Sequence, residues 1–518
     1  MTHLSPPRAF VPSPEQSRVF SWVELNARLK GTCAIIRAVA GSGKTTTIIK
    51  CLRHIPEWQS VIFVAFNASI AKELKERIVK ELGEGHRRKV RASTFHGVGF
   101  KALNDFARGR KWELNKSKVG SIASKLIPEV AQEIYLQFCT KLVSYAKGQG
   151  IGVEGMIEDT DDAWWDIIDH QAMELPVDEP DEEKEAALYM KAVDFARDIL
   201  RRSNEVAKAA LYIDFDDQIY LPLLWKLPLE KFDWVIPDEG QDTNPVRREM
   251  CKRMFVGHLL MVGDPCQSIY GFTGATPEAM DLVEKEFRCT KLELNYSYRC
   301  PQDVVRMAQK YVPYIQAHPS AARGEVLDSR DEDYQWTDKD FGPDDAILCR
   351  LSAPLVQKAY ALIAQRIPCV ILGRDIGQGL VSLVKNMKAK DIDELHVKLY
   401  EYRKREVEKA KADENEKKAE SINDKVDCIY AIMENLPPDA KSVDALIAEI
   451  EGLFSDDSKG KLTLSTVHKA KGKEWETVMI LNHWLMPSSR AKQDWEIQQE
   501  YNIIYVAYTR AKFRLIIN

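Results

Sequence analysis

The sequence has 518 residues, 45% hydrophobic and 29% charged, which predicts about three domains of chain and enough apolar residues for several cores. No apolar run reaches the ~18 residues of a membrane span, and the N-terminal stretch MTHLSPPRAFVPSPEQ lacks the charged-then-apolar order of a secretory signal, so an unsecreted protein is expected. The balance of 73 basic and 78 acidic residues, net −5, excludes a protein that coats nucleic acid by bulk charge, but not one that grips a strand in a local groove.

The ten cysteines are scattered and none form CxxC, so neither a disulfide framework nor a zinc ribbon is expected, and a reducing compartment fits. Charge is segregated: residues 87–118 hold ten basic and two acidic residues, and residues 154–185 hold fourteen acidic and one basic. Taken alone, both runs read as solvated surface.

In chain order, CAIIRAV (33–39) reads as a buried strand ending in a glycine loop, followed by a helix over TTTIIKCLRHI. VIFVAF (61–66) predicts a second strand, ASIAKELKERIVKEL a helix, and KVRAST (89–94) a third strand. This alternation predicts a parallel sheet covered by helices. Residues 106–206 turn helical and polar, as an insertion would. Strands return at FDWVIP (232–237) and HLLMVG (258–263), and a further α/β stretch runs from 291 to 375 with strands at CTKLEL and DAILCR. Pro237 cannot donate to a sheet, so the strand is expected to end there. Between 389 and 459 the mixed-charge run AKADENEKKAE precedes two amphipathic helices: Ile422, Val426, Ile429, Tyr430 and Met433 recur at helical spacing. Val443, Leu446, Ile447, Ile450 and Phe454 do the same after Ser442 as N-cap, and Pro437-Pro438 separates the two, which predicts a hairpin. TLSTVH and ETVMILNH restore the strand signal, and a helix and a strand close the chain.

The strongest chemical signal is Ala38-Val-Ala40-Gly41-Ser42-Gly43-Lys44-Thr45-Thr46, between a strand and a helix. Glycines let the backbone wrap a phosphate, so amide N–H groups and the helix N-terminus face the anion. Lys44 is expected to reach the β/γ-phosphates and Thr45 to hold Mg²⁺. The general pattern has Gly where this chain has Ala38. The second signal is Trp234-Val-Ile-Pro-Asp238-Glu239-Gly-Gln241-Asp242, an apolar strand ending in an acidic pair. Asp238 is expected to hold the metal through water, and Glu239 to polarise an attacking water. Alone, an acidic strand end is usually solvated; together with the phosphate loop it points to nucleotide hydrolysis.

These strings resemble those of the superfamily 1 helicases of the UvrD/Rep type, whose loop variant carries Ala in place of the first glycine. Further motifs follow in that family's order from residue 14 to residue 512. Pro14-Glu15-Gln16 resembles its glutamine motif, which implies that Gln16 reads the adenine edge. Phe66-Asn67 and Ser93-Thr94-Phe95-His96 resemble motifs that contact single-stranded DNA, and Asp214-Phe215-Asp216-Asp217 resembles a further short motif. In Gly263-Asp264-Pro-Cys-Gln267-Ser-Ile-Tyr270-Gly-Phe272 the resemblance implies that Gln267 senses the γ-phosphate and that Tyr270 and Phe272 stack on bases; Asp264, just after the strand, is read either as structural or as helping to place Gln267. Tyr298-Arg299-Cys-Pro and Tyr505-Val-Ala-Tyr-Thr509-Arg510 resemble the motifs that supply two phosphate-contacting arginines. Thr466-Val-His468-Lys-Ala-Lys471-Gly472-Lys-Glu474 resembles a DNA and nucleotide contact, which puts His468 on the strand and Glu474 at the nucleotide.

The resemblance implies an α/β fold of two RecA-like P-loop motor domains, each with a mainly helical insertion. Residues 1–105 and 207–290 form the first motor domain around the insertion 106–206; residues 291–375 and 460–518 form the second around the insertion 376–459. It implies ATP and Mg²⁺ as nucleotide and metal, single-stranded DNA and strand–duplex junctions as partners, and 3′–5′ movement coupled to unwinding. Single-strand-binding or recombination proteins fit as protein partners, and the cytoplasm, nucleoid or nucleus as location. Thr273 stands where many relatives carry Arg, and the motif style is closer to the F-box helicase branch and small phage-like relatives. The short second insertion keeps open a translocase that strips proteins from DNA without efficient unwinding.

Overall fold

The computed structural model describes residues 10–84, 88–171, 173–176, 181–269, 271, 278–412, 416–437, 441–491 and 493–518. Two six-stranded sheets organise them, and every strand pair in both is parallel. These are two RecA-like α/β domains. The first sheet runs Val90–Thr94, Val61–Ala65, Phe232–Pro237, Phe255–Gly263, Thr32–Ala38 and Thr290–Leu294. The second runs Glu325–Asp328, Ala511–Ile517, Trp475–Ile480, Ala346–Cys349, Leu462–Thr466 and Cys369–Ile371. Helices cover both faces of a parallel sheet, so central strands read as continuous apolar runs; all five residues of Val61–Ala65 are buried.

The expected strands are present to within a few residues. Phe232–Pro237 ends on its proline, as the missing N–H requires. One placement differs from expectation. Thr290–Leu294 pairs with Thr32–Ala38 and so completes the first sheet, whereas the sequence reading began the second α/β stretch at 291.

The first insertion is built from helices Lys118–Leu126, Gln132–Gln149, Asp161–His170 and Glu182–Ala210. Its neck is closed by the short parallel pair Glu113–Leu114 and Tyr212–Ile213. Below the neck, Lys118 and Lys147 from the insertion meet Asp217 at 2.6 and 2.7 Å, and Lys147 meets Asp214 at 2.6 Å, all buried. The second insertion has four helices rather than a hairpin: Arg374–Asn386, Ile392–Ala412, Glu416–Glu434 and Val443–Leu453. Ser442 caps the last of these by accepting from the Ala445 N–H at 3.1 Å, as its position predicts. Among the described residues, no helix is long and apolar enough to cross a membrane.

The phosphate loop lies where the two domains meet. Val39, Ala40 and Ile269 of the first domain share one buried cluster with Val467, Ile503, Ile504 and Tyr505 of the second. Close packing also fixes helix Phe95–Ala107 on helix Asp217–Leu224. A Cβ on Gly99 would stand 1.8 Å from the main-chain oxygen of Gln218. Gly99→Ala is therefore expected to cost about 1–3 kcal/mol, read as a fall in the denaturant midpoint. An unchanged midpoint would show that the two helices part without penalty.

Candidate active site

Strand Thr32–Ala38 delivers the chain into the loop 39–43, and helix Lys44–Lys50 leads out of it. Gly41 and Gly43 have φ of 71° and 76°, a region closed to most side chains. A Cβ on Gly41 would also meet the Arg299 Cβ at 2.5 Å, so arginine and loop approach as closely as glycine allows. The acidic strand ends alongside: Thr45 Oγ1 donates to Asp238 at 3.2 Å, and Lys44 Nζ lies 3.2 Å from Glu239. Glu239 adopts a left-handed backbone, φ 57°, at a cost of about 1–2 kcal/mol for a residue with a Cβ. Neighbours hold it there: Gln241 donates to its carboxylate at 2.5 Å, and the Asp242 N–H donates to its carbonyl at 3.0 Å.

Both domains line one cavity of about 530 Å³. The first supplies Gly41, Ser42, Gly43, Lys44, Thr45, Thr46, Asp238, Glu239 and Gln267, together with Ile70, Glu73, Leu74 and Arg77 from helix Ala68–Leu82. Tyr298, Arg299, Gly472, Glu474 and Arg510 complete it. Arg299 donates to Glu474 at 2.5 Å and to the Thr509 carbonyl at 3.3 Å. Arg510 donates to Gln267 at 3.3 Å and to the main-chain carbonyls of Val506 and Lys473. Gln267 in turn donates to Asp264 at 2.7 Å, which agrees with the positioning reading of Asp264.

Electrostatics divide the acidic pair. Burial and the adjoining Glu239 charge push Asp238 up to about 6. Glu239 feels burial too, but Lys44 and Lys471 outweigh it and hold Glu239 at about 2. Burial works against the Lys44 charge, yet Glu239, Asp264 and Asp238 raise its pKa. Burial and Arg299 pull Arg510 down to about 9, still charged at neutral pH.

The residues fit a nucleotide and its metal. Ser42 Oγ is buried in the loop with no hydrogen-bond partner among the described residues, and the glycine cradle would be filled by any Cβ at Gly41. Thr45 and Asp238 offer only oxygens, the donor set of Mg²⁺, which keeps waters and phosphate oxygens as its other ligands. No group of three or more His, Cys, Asp or Glu able to hold a metal occurs among the described residues.

Other expected residues fall differently. Gln16 is buried against the loop helix, where it donates to Thr47 Oγ1 at 3.0 Å and accepts from the Ser13 N–H at 3.0 Å. One N–H and one lone pair of its carboxamide are thereby used within the protein, and Gln16 is not among the residues that line the cavity. Ala40 N–H donates to the Tyr505 hydroxyl at 2.9 Å, and Thr46 Oγ1 accepts from Arg77 at 2.7 Å. Asn67, Thr94 and Thr466 cap the helices that follow their strands, accepting from Ile70, Gly97 and Lys469 N–H groups. Phe66 is half-buried with the Arg247 guanidinium over its ring. Phe95 must be corrected: it is 3% exposed and packs in the core of the first domain, so its ring has no free face for a base. His96 is half-buried against the exposed Phe215, with centroids 5.5 Å apart. Tyr270, Phe272 and Thr273 lie outside the described residues.

Burial lowers His96 to about 4 and His468 to about 3, with nearby cations adding to both shifts. Both are neutral in the folded protein, whereas an unfolded histidine takes up a proton near pH 6.5. Their contribution to stability is complete above about pH 6.5 and declines as pH falls toward 4. Melting temperature is therefore expected to drop between about pH 7 and 5, and His468→Gln to flatten that slope. An identical slope in the variant would show that His468 is already charged when folded.

Sequence reading passed over several contributors. Tyr505 joins the domains by accepting from Ala40 and donating to Asp264 at 3.3 Å. Lys471 reaches across to Asp242 at 2.7 Å, and both side chains are buried. Gln241 holds Glu239 and also accepts from the Asp264 N–H at 2.9 Å. Lys471, Gln241 and Tyr505 stand inside recognisable motifs, so a buried polar position there was a usable signal; Arg77 is set by tertiary contact alone.

A phosphate loop, an acidic strand end and two arginines from a second α/β domain, meeting at one cavity, define a two-domain P-loop nucleotide site. The chain matches the UvrD/REP helicase N-terminal domain over residues 23–288 and the UvrD-like helicase C-terminal domain over residues 377–518. It belongs to the UvrD/Rep family of helicases. It is 27% identical over 299 residues to the ATP-dependent DNA helicase Rep of Escherichia coli, covering 54% of this chain and 40% of that protein. F-box DNA helicase protein 1 of Schizosaccharomyces pombe is 24% identical over 535 residues, 93% of this chain and 55% of its own length. F-box DNA helicase 1 of Gallus gallus is 23% identical over 538 residues, 97% of this chain and 48% of its own. The chain thus spans about half the length of the curated relatives it matches.

Proposed function

We propose that this protein is an ATP-dependent DNA helicase that moves 3′ to 5′ along a single strand and opens the duplex ahead of it. The observation that carries the proposal is the shared cavity: Lys44, Thr45, Asp238, Glu239 and Gln267 face Arg299, Arg510 and Glu474 of the second domain across about 530 Å³. Cleaving the terminal phosphate requires charge neutralisation on the oxygens that gain charge. Lys44, Arg299 and Arg510 supply it, and Mg²⁺, held by Thr45 and Asp238 when bound, adds to it. Glu239 orients and deprotonates the attacking water. When Lys44 turns to phosphate it releases Glu239, whose proton affinity then rises toward that of a working base. Gln267, held by Asp264 and bonded to Arg510, links the phosphate end to the second domain.

Because the arginines come from the second domain, each ATP cycle closes and reopens the cleft, and that motion drives the strand. Asn67, Thr94 and His96 with Phe66, Tyr270, Phe272 and His468 form the proposed strand surface, where aromatic stacking contributes about 1–3 kcal/mol per base. The division into two motor domains with insertions at 106–206 and 376–459 is part of this reading, as is action inside the cell. Polarity rests on the family resemblance. Partial duplexes with a single 3′ or 5′ tail test it: opening from the 3′ tail alone is expected, and opening only from the 5′ tail would overturn it. Hydrolysis stimulated by single strands without strand displacement would instead identify a translocase that clears bound proteins.

A further inference from the structure

The geometry points to Arg247 as a positioning residue that couples the acidic loop at the nucleotide cavity to the aromatic surface under the DNA strand, an inference that rests on the function proposed above. Arg247 lies on helix Pro245–Met254 and is only 8% exposed. Its Nη1 donates to the main-chain carbonyl of Asp242 at 2.8 Å. Its guanidinium lies 4.7 Å from the centroid of Phe66 and 6.0 Å from that of Phe95. Its Nε is buried and has no hydrogen-bond partner among the described residues.

Burial works against the Arg247 charge more than the nearby Asp242 and Asp216 charges support it, and a well-packed apolar residue would serve the core at less expense. The cost makes sense if the planar group has to touch two parts at once. On one side is Asp242, three residues past Glu239, whose carboxylate is gripped by Lys471 of the second domain at 2.7 Å. Domain closure therefore acts on the loop that Arg247 holds. On the other side is Phe66, the half-buried aromatic of the proposed strand surface, with the guanidinium over its ring. His96 stands close enough for the Arg247 charge to help lower its pKa. Loop and ring thus share one rigid side chain: displacing Phe66 shifts Arg247 against the Asp242 carbonyl. Lysine would keep the charge but lose the flat face and the fork of donors that make both contacts together.

The test compares the full chain with Arg247→Met and Arg247→Lys, measuring ATP hydrolysis with and without saturating single-stranded DNA, strand affinity by anisotropy, and melting temperature. In Arg247→Met the ratio of stimulated to unstimulated hydrolysis is expected to fall by about five- to tenfold, more than either strand affinity or the unstimulated rate. Arg247→Lys should recover part of the ratio. Combining Arg247→Met with Phe66→Leu should cost little more than either change alone, because both break the same link. A wild-type ratio in Arg247→Met overturns the inference. So does a proportional fall in both rates with a lowered melting temperature, which marks a purely structural role. A wild-type protein that DNA does not stimulate at all overturns the proposed function itself, and is told apart by the unmutated chain.

Discussion

Glu239→Gln is expected to slow ATP turnover by about 10²- to 10⁴-fold while nucleotide still binds. The substitution keeps the shape of the side chain and its contact with Gln241 but removes the charge that takes the proton from water. Its structural cost is limited because Lys44, which pairs with Glu239 at 3.2 Å, has Asp238 and Asp264 to hold its charge. Two measurements check the expectation together: steady-state hydrolysis, and equilibrium binding of a fluorescent ATP analogue. Normal hydrolysis in the variant would remove Glu239 from the base role and leave the left-handed strain at φ 57° without a catalytic reason. Loss of both hydrolysis and binding would mean that Glu239 builds the cradle rather than acting within it.

Arg510→Ala is expected to lower kcat by about 10³-fold or more, the scale of an arginine finger in phosphoryl transfer. Arg510 is 1% exposed, donates to Gln267, and remains charged at neutral pH although burial and Arg299 bring it down to about 9. Arg510→Lys should fare little better, since an ammonium cannot contact Gln267 and the carbonyls of Val506 and Lys473 together. Because the side chain is buried, melting curves must accompany the kinetics. A folded Arg510→Ala protein with wild-type turnover would contradict a cleft completed by the second domain.

Legibility followed burial. Central strands such as Val61–Ala65 are covered on both faces and announce themselves as apolar runs. The edge strands Glu325–Asp328 and Cys369–Ile371 did not: one is half-buried along its length and the other has three residues. The amphipathic spacing at 422–433 and 443–454 found the last two helices of the second insertion. Helix Ile392–Ala412 went unseen as such because its buried Leu395 and Leu399 are followed by a long charged stretch. At the site, the loop and the acidic pair were readable because the chemistry dictates residue type and spacing, and both arginines came from the family resemblance. Phe95 was misread because an aromatic at a strand end looks the same whether it faces solvent or core. The roles of Tyr505 and Arg247 were hidden for a different reason: their partners, Ala40 and Phe66, lie far off in sequence.

ATP hydrolysis by the purified full chain, with and without single-stranded DNA, tests the central claim most directly, because the claim is that one cleft joins nucleotide cleavage to a strand. Mg²⁺-dependent hydrolysis that rises strongly when DNA is added is the predicted result. Hydrolysis of equal rate with and without DNA, or none in either case, would contradict it.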